Sequence, residues 1–358
     1  MSLPEPAPAP EPGAFLLEEI REQPAALRRL LAHESEYADA AAAARASGRT
    51  LVRLVAHGSS ANAASYGVYA FGLLPGWTAL RDSISLTVYS GAKIDMTGSC
   101  VLGLSQSGRT PDVVEYVERA RAAGAFTIAL TNDPDSELGR AAEAVLPLAA
   151  GPERSIAATK TYLNSVAALA LLAAHAAGRS REYADGIARV ADLIDEAIPA
   201  LEPLAAELAV SFAYVGRMFV IGRGTELATA SEVALKLLET CRVAAEPLTA
   251  TDLIHGPLAA LDGMFPVWTI GSDDESLPAV REAAARARAA GATLVASGPA
   301  AREIADASFY AAVPRPAVTL LSPLLSVVPG QLLAWALAQA KGLDPDRPSG
   351  LSKITHAL

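Results

Sequence analysis

VLGLSQSGRTPDVVEYVERARAAGAFTIALTN (101–132) and PVWTIGSDDESLPAVREAAARARAAGATLVASG (266–298) carry one pattern twice. Each is a short apolar run, a small polar loop, an amphipathic helical stretch ending near Gly, and a second apolar run. Strands of four to six apolar residues without polar alternation suit a sheet covered on both faces, and helices between them give parallel pairing. Sliding the chain against itself extends the match in both directions at an offset of about 166 residues. VRLVAHGSSANAA (52–64) then aligns with MFVIGRGTELATA (218–230), and AEAVLPLA (142–149) with SFYAAVPR (308–315). The chain therefore reads as α/β, with two tandem doubly wound, flavodoxin-like parallel-sheet domains related by an internal repeat.

A length of 358 residues fits two compact cores better than one. The expected divisions are a disordered Pro-rich leader over 1–13, a first domain over 14–178, connecting helices over 179–209, a second domain over 210–341 and a C-terminal tail over 342–358. The connecting stretch is rich in Ala, Leu, Asp and Glu and carries Pro199 and Pro203. With 51% apolar and 19% charged residues the chain can bury real cores. A net charge of −10 gives no broad basic footprint, so no nucleic acid partner is expected. Cys100 and Cys241 lie in apolar or helical stretches, which predicts no disulfide framework and a cytoplasmic location. The apolar run from Leu163 to Gly178 is shorter than the roughly 20 residues of a membrane span and reads as a buried helix, with no membrane partner. His33, His57, His175, His255 and His356 form no ligand spacing, so neither a metal nor another cofactor is expected.

In open parallel sheets ligands collect at the carboxyl ends of strands, where helix starts offer free N–H groups and partial positive charge. Three loops of the first domain suit an anion: Gly58, Ser59 and Ser60; Ser105 to Thr110, reading SQSGRT; and Ser155 to Lys160. SQSGRT brings three hydroxyls, Gln106, and a Gly108 that lets backbone approach closely, and it runs straight into a helix at Pro111 and Asp112. A plainer account makes these residues turn and cap formers only. The equivalent loop of the second domain is GSDDES, whose Asp273, Asp274 and Glu275 would repel a phosphate, so one half keeps a cradle that the other has lost.

The second half instead offers Glu232, Lys236 and Glu239, spaced by four and three so that all share one helical face, with His255 following. Proton transfer between adjacent carbons of an open-chain sugar needs a carboxylate base, ring opening needs an acid/base such as His, and charge developing on oxygen or nitrogen needs a cation. The competing account is a solvated stripe of ion pairs.

Together these stretches resemble the sugar isomerase (SIS) double-domain family, as found in the isomerase half of glucosamine-6-phosphate synthase and in stand-alone glucosamine-6-phosphate deaminases. The resemblance spans roughly 14–358 and is carried by EIREQP (19–24), LSQSGRT (104–110), AATKTY (157–162), GRGTELATASEVALKLLET (222–240), HGPLA (255–259) and LSK (351–353). It implies phosphate binding by Ser59, Ser105, Gln106, Ser107 and Thr110, with the backbone near Ile156 and Ala157 approaching the sugar. It also implies Glu239 as the base between C1 and C2, Lys236 near the C1/C2 substituents, Glu232 orienting it, and His255 opening the ring from the partner subunit. Lys353 matches a lysine that forms an imine with the keto sugar, on a tail acting as a lid. The ligand so implied is a sugar 6-phosphate, bound by a homodimer with a shared active site. Ser2 and the Pro-rich leader stand where a glutamine-using synthase has its Cys-headed domain, Arg109 follows SQSG as in the deaminases, and Ala158 replaces a Ser. The expected activity is isomerising deamination of glucosamine 6-phosphate to fructose 6-phosphate and ammonia. Deglycation of a fructosyl-amino-acid 6-phosphate and non-catalytic sugar-phosphate sensing are the alternatives.

Overall fold

The structure, a computed structural model, describes residues 11–353. Three helices, α1 (Ala14–Arg21), α2 (Gln23–Leu31) and α3 (Glu34–Ala46), precede the first sheet. That sheet is built from β1 (Leu51–Val55), β2 (Thr78–Arg81), β3 (Ser99–Leu104), β4 (Phe126–Thr131) and β5 (Ala144–Pro147). Between and after them come α4 (Gly58–Leu73), α5 (Pro111–Ala122), α6 (Glu137–Ala141) and α7 (Lys160–Ala176). After α8 (Ser180–Ser211) the second sheet follows, with β6 (Arg217–Gly222), β7 (Ala244–Thr249), β8 (Pro266–Ile270), β9 (Thr293–Gly298) and β10 (Phe309–Ala312). Its helices are α9 (Glu226–Cys241), α10 (Ala250–Ile254), α11 (Leu277–Ala289) and α12 (Ser322–Ala340).

Both sheets are wholly parallel, ordered β2-β1-β3-β4-β5 and β7-β6-β8-β9-β10. Strand for strand this is one topology used twice, and β1 opens at Leu51 while β6 opens at Arg217, the offset read in the sequence. Each sheet is covered on two faces because successive strand residues point to opposite sides. Val52 and Leu54 face α3, α4 and α7, whereas Val55 and Val101 meet Val113, Tyr116 and Val117 of α5. In the second sheet Met218 and Val220 face the centre while Phe219 and Ile221 pack with α10 and α11. One continuous apolar core, running through α4, α7, α8, α9 and α12, fills the space between the sheets. The halves are thus fused through their inner helices.

Two expectations change. The connecting helices placed over 179–209 are a single 32-residue helix, α8, that runs through Pro199 and Pro203. The two prolines are four apart on the exposed face, so the carbonyls they leave unpaired turn to water and the helix continues. Residues 11–13 of the leader form the turn into α1, with the Ala14 N–H donating to the Glu11 carbonyl and the Gln339 side chain to the Pro12 carbonyl; the rest of the leader lies outside the described residues. The stretch from Thr319 to Ala340 is also long and apolar enough to cross a membrane, yet in the fold α12 lies buried against α8 and α9.

The α9–α12 contact fixes the helix that carries Glu232, Lys236 and Glu239. At Gly330 of α12 an added Cβ would stand 2.3 Å from a Val233 methyl of α9. Gly330→Ala is therefore expected to destabilise the chain in urea unfolding, the overpacking cost of about 1–3 kcal/mol outweighing the gain of about 1 kcal/mol in helix propensity. Unchanged or higher stability would mean that the two helices have room to part.

Candidate active site

The order of the first sheet reverses between β1 and β3, and at this switch point a cavity of about 510 Å³ opens at the strands' carboxyl ends. Its floor is the loops that leave β1 and β3. In SQSGRT, Ser105 Oγ and Thr110 Oγ1 lie 2.8 Å apart, the Gly108 N–H donates to Ser105 Oγ at 3.2 Å, and the Asn132 N–H holds the Gln106 carbonyl at 3.1 Å. Gly108 is obligatory: φ is +64°, and a Cβ would come within 1.9 Å of Ser136 Oγ. It therefore shapes the loop from behind while Ser105, Gln106, Ser107 and Thr110 line the cavity.

The capping account of these loops predicts side chains folded onto the helix starts. Ser136 and Thr249 do cap α6 and α10 in that way, but the N-cap residues of α4 and α5, His57 and Thr110, make no such bond. The first turns of these two helices thus carry no side-chain cap, and they start beside Gly58, Ser60 and Ser107 of the cavity wall.

The equivalent point of the second half is filled by the chain itself. Ser272 corresponds to Gln106 and Glu226 to Ser60, and the buried Glu226 carboxylate accepts hydrogen bonds from Ser272 and, at 2.8 Å, from Ser326 of α12. An internal carboxylate thus occupies this point of the second half. The acidic loop residues blamed in the sequence are engaged elsewhere, Asp273 with Arg315 at 3.1 Å and Asp274 with Ser276.

α9 forms the chemical wall. Glu232 is 0% and Lys236 2% exposed at the side chain, which removes the solvated-stripe account. Lys236 Nζ lies 2.6 Å from Glu239 Oε2 and 3.5 Å from Glu232 Oε1. Glu232 accepts from Ser59 Oγ at 2.8 Å and Asn62 Nδ2 at 2.9 Å, while Lys236 donates to Ser59 Oγ at 3.2 Å. Ser59 lines the cavity, but its proton is given to Glu232, so it ties the first half to α9. Burial raises Glu232 to about 7 against the pull of Lys236, Asn62 and Ser59. Burial pulls Lys236 down, yet Glu232 and Glu239 outweigh it and hold the amine above its usual value. Glu239, with 24% of its side chain exposed, is the carboxylate of this group that reaches the cavity.

The third loop is organised by a residue that the sequence reading passed over. Glu153 is buried and accepts from the Thr159 N–H at 3.0 Å, the Thr161 N–H at 3.1 Å, Thr161 Oγ1 at 2.7 Å and Lys353 Nζ at 2.9 Å. Burial pushes its pKa up, but Lys353 and these donors win and the carboxyl sits below its usual range. Lys353 also donates to the Ser155 carbonyl at 2.5 Å, so the tail reaches the cavity wall. Ile156 and Ala158 line the cavity, whereas Ala157 turns into the core. His255, exposed at the end of α10, lies outside the cavity wall, as does Arg109, paired with Asp133 at 3.4 Å. His57, Tyr89 and Asp112 line the cavity without having been singled out for it. The nearest signal was position alone, since His57 and Asp112 flank two of the quoted loops. Among the described residues no group of three His, Cys, Asp or Glu side chains could hold a metal ion.

Because Glu232 takes its proton more readily folded than unfolded, its favourable share of stability is present below about 4.5 and is lost as pH rises through about 7. Glu19, likewise raised to about 7 by burial, acts in the same sense. Glu232→Gln should therefore gain melting temperature relative to the unmodified chain between pH 5 and pH 8, a window of ~3 pH units bracketing that titration. A difference that stays flat across the window would remove Glu232 as a titrating group.

Comparison with known proteins agrees with this architecture. The SIS domain profile matches residues 51–175 and 211–340. The isomerizing glutamine–fructose-6-phosphate aminotransferase of Gloeobacter violaceus is 33% identical over 355 residues, covering 95% of this chain and 58% of that protein. The chain thus spans little more than half the length of the curated relatives it matches. A candidate phosphosugar isomerase of Silicibacter pomeroyi DSS-3 superposes with a TM-score of 0.82 at 32% identity, covering 92% of this chain and 99% of that one. The C-terminal domain of glucosamine-fructose-6-phosphate aminotransferase from Francisella tularensis gives 0.85 at 23%, covering 94% and 99%. With a repeated topology, a profile that matches both halves and motifs in register, this chain belongs to the SIS domain family.

Proposed function

We propose that this chain is a phosphosugar isomerase acting on an amino-sugar 6-phosphate, and that it converts glucosamine 6-phosphate to fructose 6-phosphate and ammonium. One observation carries the reading: a lysine buried between two carboxylates, 2.6 Å from Glu239, shares a cavity with the unoccupied N–H groups of two helix starts. The helix starts and SQSGRT suit a phosphoryl group, and a six-carbon chain extending from it reaches the wall where Glu239 and Lys236 stand. Sensing alone gives no reason to bury such a cation, whose desolvation is costly.

In this reading the open-chain aldose amine loses its C2 proton to Glu239, and Lys236 balances the charge developing on the C1 oxygen. Return of the proton to C1 leaves a ketose imine at C2, which water hydrolyses to the ketose and ammonia. Glu232 holds Lys236 in place through Ser59. His255 would serve a neighbouring copy in a homodimer, consistent with its exposed place outside this chain's own cavity.

The direct test is ammonium release from glucosamine 6-phosphate. Glu239→Gln is expected to keep binding and lose about 10²-fold or more in turnover. Turnover left intact by that change would take the base role from Glu239. For the shared site, Glu239→Gln and His255→Ala chains, each inactive alone, should regain part of the activity when mixed and allowed to exchange subunits. No recovery on mixing would confine each site to one chain.

A further inference from the structure

Asp112 poses a problem for the cradle. It is the second residue of α5, its side chain is only 7% exposed, and it lines the cavity beside Thr110. A carboxylate in a first helical turn ordinarily complements the helix dipole. Here the same N–H groups and the same positive end are what a phosphoryl dianion would use, so an uncompensated Asp112 would both compete with the ligand and repel it.

The structure places a basic side chain against this carboxylate. His57, the residue from which α4 starts, points Nε2 at Asp112 Oδ2 at 2.8 Å, and the Tyr89 hydroxyl donates to the same oxygen at 3.2 Å. Tyr89 comes from a π-helical turn, Ser85–Tyr89, an irregularity of the kind that often marks functional positions. A carboxylate only accepts, so Nε2 carries a proton, and Nδ1, which has no partner among the described residues, is open to the second proton that would make the ring a cation. The other cations of the cavity wall are committed, Lys236 to Glu232 and Glu239, and Lys353 to Glu153. Arg109 faces Asp133 outside the wall. His57 is thus the group available to neutralise Asp112, and with 57% of its side chain exposed it can do so at the cavity mouth.

We infer that His57 is a positioning residue which neutralises Asp112, with Tyr89 steadying the pair, so that the cradle between α4 and α5 accepts a phosphoryl dianion. This rests on the phosphosugar reading above and adds to it a residue that governs affinity for the charged end of the substrate. His57 acts through Asp112 and takes no part in the proton transfer at C1 and C2.

The test uses the full chain as wild type, His57→Gln, Asp112→Asn and the double variant, measuring KM and kcat with glucosamine 6-phosphate and thermal stabilisation by inorganic phosphate. His57→Gln should raise KM about tenfold with kcat held within about twofold, as expected for one unbalanced charge at a partly exposed anion site. Adding Asp112→Asn should bring KM back to within about threefold of wild type, and half-saturating phosphate should move in parallel. An unchanged KM in His57→Gln, a fall in kcat at constant KM, or no rescue by Asp112→Asn would each overturn the inference. A wild type that neither turns over nor is stabilised by any sugar 6-phosphate would overturn the phosphosugar reading and this inference with it. Wild-type binding with an unaffected His57→Gln variant would overturn the inference alone.

Discussion

The contact on which the rest depends is the one between Glu232 of α9 and Ser59 and Asn62 of α4. Glu232 is fully buried between the halves, and a buried carboxylate persists only where donors and a countercharge surround it. Two donors come from the first half and Lys236 from its own helix, so the halves cannot part without stranding that charge. Breaking a buried pair of this kind costs about 3–5 kcal/mol, far more than an exposed ion pair contributes. α4 starts in one wall of the cavity and α9 brings Lys236 and Glu239 to another. The bond that unites the halves therefore also sets the distance between grip and chemistry.

The repeat shows what one fold can do with a single anion position. In the first half the switch point between β1 and β3 is open and lined by hydroxyls. In the second the corresponding point holds Glu226, whose carboxylate takes the Ser272 and Ser326 hydroxyls as an external anion would. Burial raises its pKa despite those donors. The internal carboxylate draws the first turn of α9 onto β8's loop and onto α12, which makes the helix a rigid support for Lys236 and Glu239. Duplication thus gives one open point and one filled by the chain itself.

Much of this was legible in the sequence because it rests on local periodicity. Apolar strands alternating with helical patterns, at a constant offset, specify the parallel order in both sheets, and the four-and-three spacing put Glu232, Lys236 and Glu239 on one face. What escaped depends on contacts between distant positions. Glu153 looks like one acidic residue in a loop until Lys353, 200 positions later, is found on it. His57 and Asp112 are 55 apart and meet only because β1 and β3 are neighbours. The stretch over 179–209 reads as several helices because the sequence does not reveal that Pro199 and Pro203 both face water along one helix, α8.

Those distant contacts also couple the tail to the site. Asp346 binds the Phe15 and Leu16 N–H groups at the start of α1 through its carboxylate and the Ile156 N–H through its carbonyl, at 3.0, 2.7 and 3.1 Å. A few residues on, Lys353 is held by Glu153 and the Ser155 carbonyl. For Lys353 to approach a sugar carbonyl it would have to leave Glu153, and Glu153 would then keep only the Thr159 and Thr161 donors of its own loop. Because those donors remain, the loop that presents Ile156 and Ala158 can stay in place while the lysine moves. One buried carboxylate, Glu153, thus joins the loop of Ile156 and Ala158 to the segment that carries Lys353.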